Sequence, residues 1–323
     1  VISALILGLG VFYGTYHFFI SKSYSIYHAK VKSELINIHK INEESNNFTK
    51  GTTIDTQKIL DNISNSISTL QTSYSKLKNL ITADKYKDDH NILLAGLDNN
   101  IKIYKEILNI VKDTKNKDLV NSISELQKYR DDCLNYYALI SNKDLNITLP
   151  EETLELINNT VLFTQRQVRL NIDKQILTTQ NKDFFKSLNE MLNQFNEIKK
   201  DYMPSVLNAR KNIAGYDILL NNISLAESKL SNIKTSTINL NITKEALPIY
   251  QAFTKLLSDY DLYMQNLKYA IKTEKLTIAA DISNKDSLDK LYSQSNNQLK
   301  VIDENYKSFT MLHKQFENSL SSK

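Results

Sequence analysis

Residues that break regular structure are almost missing from this chain. Of 323 residues, six are glycine and three are proline, and Gly8, Gly10 and Gly14 all fall within the first twenty. Sheets and α/β folds turn often and draw on glycine and proline for those turns. Long helices joined by polar connectors need few of either. With 41% hydrophobic and 24% charged residues, the chain also has enough apolar material to build a core. The expected fold class is all-α: an N-terminal transmembrane helix followed by an elongated multi-helix bundle.

Hydrophobic spacing supports helices. Leu60, Ile63, Ile67, Leu70, Tyr74, Leu77 and Ile81 recur at steps of three and four, which lays one stripe along a helix. Similar stripes run through Leu94 to Val111, Leu119 to Ile140, Phe184 to Tyr202, Ile249 to Ala270 and Leu288 to Leu320. NNFTKGTT at 46–53 interrupts the first helical run, and Pro204 marks a boundary or kink. In SNKDLNITLPEE, Leu145, Ile147 and Leu149 alternate like an extended piece. Thr148, Pro150 and Glu151 then form a helix-start signal.

Residues 1–20 contain no Asp, Glu, Lys or Arg. As a helix they would extend about 30 Å, the thickness of a bilayer's hydrocarbon core. Tyr13, Tyr16 and His17 sit near one end, as interfacial residues do. No small-residue cleavage site follows Phe18-Phe19-Ile20, which argues against a removed signal peptide. Because Val1 is not an initiator methionine, either the chain is processed or the sequence begins inside a longer one, the latter being the expectation.

The organisation expected from these features is a transmembrane helix at 1–20, a stalk helix at 21–45, a first helical module at 54–142, a linking helix at 150–180 and a second helical module at 182–323. The modules look alike in sequence. ILDNISNSISTL at Ile59 matches LLNNISLAESKL at Leu219, and IYKEILNIVKDT at Ile103 matches LYMQNLKYAIKT at Leu262, at offsets of 160 and 159. Two matches in one register read as either an internal duplication or the coincidence expected in a chain so rich in Asn, Lys and Ile. LNIT occurs at Leu145 and Leu240, and the two copies are candidates for a small two-stranded pairing.

Signals for chemistry are sparse. No phosphate-binding loop, nucleophile elbow, dinucleotide fingerprint or HExxH is present. His28 and His39 share a helix face but lie about three turns apart, too far to hold one metal ion. Asp88-Asp89-His90 reads as a solvated turn at a helix start. Cys133, the sole cysteine, reads as a core residue. The core-position tyrosines Tyr74, Tyr104, Tyr137, Tyr260 and Tyr263 read as packing residues whose hydroxyls reach water. Arg130, Arg166 and Arg169 are the candidate ligand-binding residues, able to receive a carboxylate, with salt bridging or snorkelling as the plainer alternative.

A net charge of +4, spread without a basic block, gives no footprint for nucleic acid. The expectation is a single-pass cell-membrane protein with its bulk outside the cytoplasm. It would work by binding or as a scaffold, without catalysis, cofactor or metal. Its partners would be the bilayer, through residues 1–20, and a protein or envelope component. Strict heptads also suit self-association. The rival reading is an extracytoplasmic sensory module signalling through a cytoplasmic part upstream of Val1.

Overall fold

The computed structural model describes residues 2–82, 84–212, 214–279 and 285–321, with the side chains of 2–9, 20, 214 and 285 left out. The chain is nearly all helical and forms multi-helix bundles. It divides into two units, residues 1–172 and 173–323.

In the first unit, α1 (Ile2–Glu43) runs without interruption from the uncharged stretch into the bundle. Its buried face is Tyr27, Val31, Leu35, Ile38 and Asn42, the helical spacing of the expected stalk. The break at 46–53 holds a 3-10 turn and a small hairpin, β1 (Thr49–Lys50) against β2 (Thr53–Ile54). Gly51 sits at φ +59°, which its missing Cβ permits. Asp55 then caps α2 (Thr56–Lys78) by accepting from the Lys58 N–H at 3.2 Å. After a 3-10 turn at Asp84–Tyr86 come α3 (Lys87–Lys112) and α4 (Leu119–Ala138). A connector leads into α5 (Glu151–Ile198), which continues into the second unit.

α3 is the centre of the first unit. It buries residues on all sides, from Leu93 to Val111, far more than the single stripe read from its sequence. Gly96 explains how α4 comes so close: a Cβ there would lie 2.5 Å from the Tyr137 ring. On α2 the buried stripe is Ile59, Ile63, Ile67, Leu70, Ser73 and Leu77. Leu60 is exposed and Tyr74 only half-buried, because a helix of 3.6 residues per turn drifts off a strict seven-residue repeat. Ile81 lies beyond the helix and is almost fully exposed.

The second unit contains the rest of α5, α6 (Met203–Ala209), α7 (Ala214–Ile238), α8 (Leu247–Ala279), α9 (Lys285–Lys290) and α10 (Ser293–Ser321). Pro204 stands at the start of α6, where its missing N–H costs nothing. Here α8 is the central helix, packed by α7 and α10 and burying residues from Ile249 to Glu274. Aromatic contacts join it to its neighbours: Phe253 lies 5.2 Å from Phe309, and Phe195 lies 5.3 Å from Tyr260.

The buried core tyrosines pack as expected, but their hydroxyls do not reach water. Tyr104, Tyr260 and Tyr263 are wholly buried, and their hydroxyls bond the chain rather than water. Tyr104 donates to the Ile41 carbonyl at 3.3 Å and to Asn42 Oδ1 at 3.1 Å, near the end of α1. Tyr260 donates to the Ile198 carbonyl at the end of α5, and Tyr263 accepts from the Tyr202 N–H at 3.4 Å. Tyr104 and Tyr263 are the residues that the 159-residue offset aligns. The aligned pair therefore differ in partner: Tyr104 ties α3 to the end of α1, whereas Tyr263 meets Tyr202 at the start of α6 and the neighbouring Tyr260 reaches the end of α5. The LNIT copies are not strands; the described sheet is the 49–54 hairpin.

Among the described residues, no helix is long and apolar enough to cross a membrane. The transmembrane expectation falls on residues 1–20, and the side chains of 1–9 and 20, half of that stretch, lie outside the described residues.

Candidate functional site

A recess of about 670 Å³ in the first unit opens between α1 and the connector that follows α4. One wall is a single face of α1: His28, Lys32 and His39, at helical spacing, with Leu35 between them. The facing wall carries Lys143, Asp144 and Thr148.

Local chemistry places that second wall. Asp89, in the first turn of α3, accepts from the Ser141 N–H (3.0 Å), the Ser141 hydroxyl (3.0 Å) and the Asn142 N–H (3.0 Å). Asn142 in turn accepts from the Asp144 N–H at 3.0 Å and caps a 3-10 turn. The alternation seen in sequence then sorts the residues. Leu145, Ile147 and Leu149 are buried, while Asp144, Asn146 and Thr148 look onto the recess. Asp144 comes within 3.7 Å of His28 Nδ1. The Thr148 hydroxyl points to the Leu149 carbonyl, at 3.5 Å, rather than to a helix N–H as a capping box would require.

Asp89 and His90 are therefore not a solvated turn. His90 is buried, with its Nδ1 2.9 Å from the Tyr27 hydroxyl. Burial holds its imidazole below the usual histidine range and pushes the Tyr27 phenol up to about 12. On the other side of α1, Glu34 accepts from Ser73 (2.8 Å) and Lys76 (2.9 Å). Burial alone would raise its carboxyl, but these bonds and one with Asn37 hold it below the usual value. α1 is thus fixed on both flanks, and the recess has a rigid floor.

The lining supplies two ammonium groups, two imidazoles and one carboxylate. That set favours an anionic group, with hydrogen-bond donors on both walls. Among the described residues, no three His, Cys, Asp or Glu side chains converge to hold a metal ion. Cys133 is buried, and desolvation pushes its thiol up to about 12, away from the reactive thiolate.

The arginines predicted from sequence lie elsewhere, and none of the three lines the recess. Arg130, on α4, bonds its neighbour Asp131 at 2.8 Å through both Nε and a terminal nitrogen. Arg166 and Arg169 are exposed on α5, one turn apart. The sequence pointed to His28 and His39 only as a face shared by two histidines. Nothing local in it shows that the connector folds back onto that face.

In the second unit a buried ionic cluster joins α6–α7 to α8 and α9. Arg210 pairs with the wholly buried Glu274 (2.5 and 3.2 Å) and with Asp289 (2.7 Å). The Tyr216 hydroxyl donates to the same carboxylate at 2.7 Å, and the guanidinium lies 5.9 Å from the Tyr292 ring centre. Both carboxylates accept from Arg210, so the cluster reads as structural.

The chain matches no family model, no curated protein and no solved structure, so any functional reading rests on its own residues.

Proposed function

We propose that this is a membrane-anchored helical protein, with its bulk outside the cytoplasm, that binds or spaces partners without catalysis. The observation that carries the reading is α1. Its early turns present Val11, Phe12, Tyr13, Tyr16, Phe18 and Phe19 to the surroundings, each more than half exposed, and the same helix continues unbroken into the bundle. A run of exposed aromatic and aliphatic side chains is costly in water and favourable in a bilayer and its interface. The absence of charge across residues 1–20 supports the same reading. The recess on α1 would be the docking place for a carboxylate or similar anionic group on a partner.

Reconstitution tests the anchor. The full chain should float with lipid vesicles and stay with them through alkaline carbonate extraction, and a chain starting at residue 21 should stay in the supernatant. Recovery of the full chain in the carbonate supernatant would overturn the reading. Orientation is tested separately, by protease treatment of intact cells beside a cytoplasmic control protein: cleavage with the control intact places the bundle outside.

A further inference from the structure

We infer that the turn joining α2 to α3 is a second lipid contact, with Ile81 entering the headgroup zone of the bilayer face from which α1 emerges. The inference rests on the anchor reading and adds a surface to it. Tyr86, at the end of this turn, is buried against α1. Its ring lies 5.6 Å from Tyr24, 5.5 Å from Tyr27 and 4.8 Å from His28. That aromatic packing pins the turn to one level of α1. Leu80 and Ile81 share a groove of about 500 Å³ whose α1 wall runs from Lys30 back to Phe19, at the edge of the uncharged stretch.

Ile81 is 95% exposed, the extreme among the exposed large apolar side chains of the described residues. A single exposed apolar residue is ordinary. Here Phe19 and Ile26 are exposed beside the same groove. At about 1.5 Å per residue they are separated by about 10 Å along α1. A headgroup layer is roughly 5–8 Å thick on each side of the hydrocarbon, so the Phe19–Ile26 part of the groove that Ile81 lines falls within or next to it. Lys22 and Lys30 line the groove, and in sequence Lys78, Lys85 and Lys87 flank the turn against Asp84, Asp88 and Asp89. The balance is positive but small, so apolar insertion leads and attraction to anionic lipid assists.

The test uses the full chain in phosphatidylcholine vesicles containing phosphatidylglycerol. A fluorophore is placed on Ile81→Cys, on Phe12→Cys within the anchor, or on Val120→Cys, which is exposed at the start of α4, at the opposite end of the first unit. Native Cys133 is buried and does not compete for label. With a quencher attached high on the acyl chain, the label at 81 should be quenched at least about twofold more than the label at 120. If the label at 12 is quenched and the label at 81 matches that at 120, the inference fails and the anchor stands. If the label at 12 is also unquenched, the anchor reading fails and takes the inference with it. Shielding at 81 that depends on protein concentration, without lipid quenching, would mean that a second copy covers the turn and would also overturn the inference. Ile81→Asp gives an independent check, since an exposed site tolerates the charge. Its near-ultraviolet circular dichroism should match the parent, while vesicle-dependent hydrogen-exchange protection of residues 79–82 is lost.

Discussion

Single side chains decide how closely the helices of this protein approach. A Cβ at Gly96 would meet Tyr137 ring carbons at 2.5 Å and the Tyr136 Cβ at 3.3 Å, so Gly96→Ala should destabilise the first unit by about 1–3 kcal/mol in urea denaturation. Adding Tyr137→Leu should return part of that loss, because the clash is with the ring. His90 makes stability depend on pH. Its folded-state pKa is depressed by burial, so its contribution is fully present above the ordinary histidine value and is lost as pH falls through the folded one. His313, also depressed by burial, acts in the same direction. The melting temperature should therefore fall as pH drops below about 6.5, and less steeply in His90→Asn. At this scale the sequence was legible for residue type but not for hydroxyl partners. That Tyr104 and Tyr260 are core residues follows from spacing. That their phenols close off the ends of α1 and α5 depends on contacts some sixty residues away in sequence.

Helices were largely legible as elements, and their ends less so. The stop near Glu44, the proline at the start of α6 and the buried face of α1 all follow from local signals. The 49–54 hairpin was missed because a two-residue strand leaves no alternation to read, and the division of α6 from α7 was missed although Gly215, where a Cβ would meet Ala209 at 3.0 Å, stands just after the break. The recess on α1 was half legible: one wall is a periodic helix face, and the other is delivered by Asp89 across some fifty residues. Between elements, the Arg210 cluster offers a direct test by mutation. Arg210→Met leaves the wholly buried Glu274 carboxylate without its cation and should cost about 3–5 kcal/mol. Removing both charges with Arg210→Met and Glu274→Met should recover most of it, as thermal or urea unfolding would show. A double variant no more stable than the single one would show that the pair is not the source of the cost.

For the whole molecule, the informative stretch is the middle of α5. Residues 172–176 are exposed in succession, more than one full helical turn with no buried face, and the unit boundary falls there. Helical hydrogen bonds without tertiary cover open easily, so amides near 172–176 should exchange faster than those at 153–164 or 184–198. Ile172→Glu should change stability by less than about 0.5 kcal/mol, whereas Ile157→Ala, in the core of the first unit, should cost about 2–5 kcal/mol.

α1 has a mechanical consequence as well. From Ile2 to Glu43 it is one helix, about 63 Å long at the helical rise, with no proline in its length and no glycine after Gly14. A flexible tether would let the domain swivel and would average its heading. A single unbroken helix such as α1 is instead a stiff lever. Whatever clamps its first five turns sets the tilt and the azimuth of the first bundle as well. A pull on that bundle returns to the clamp as torque rather than being lost in slack.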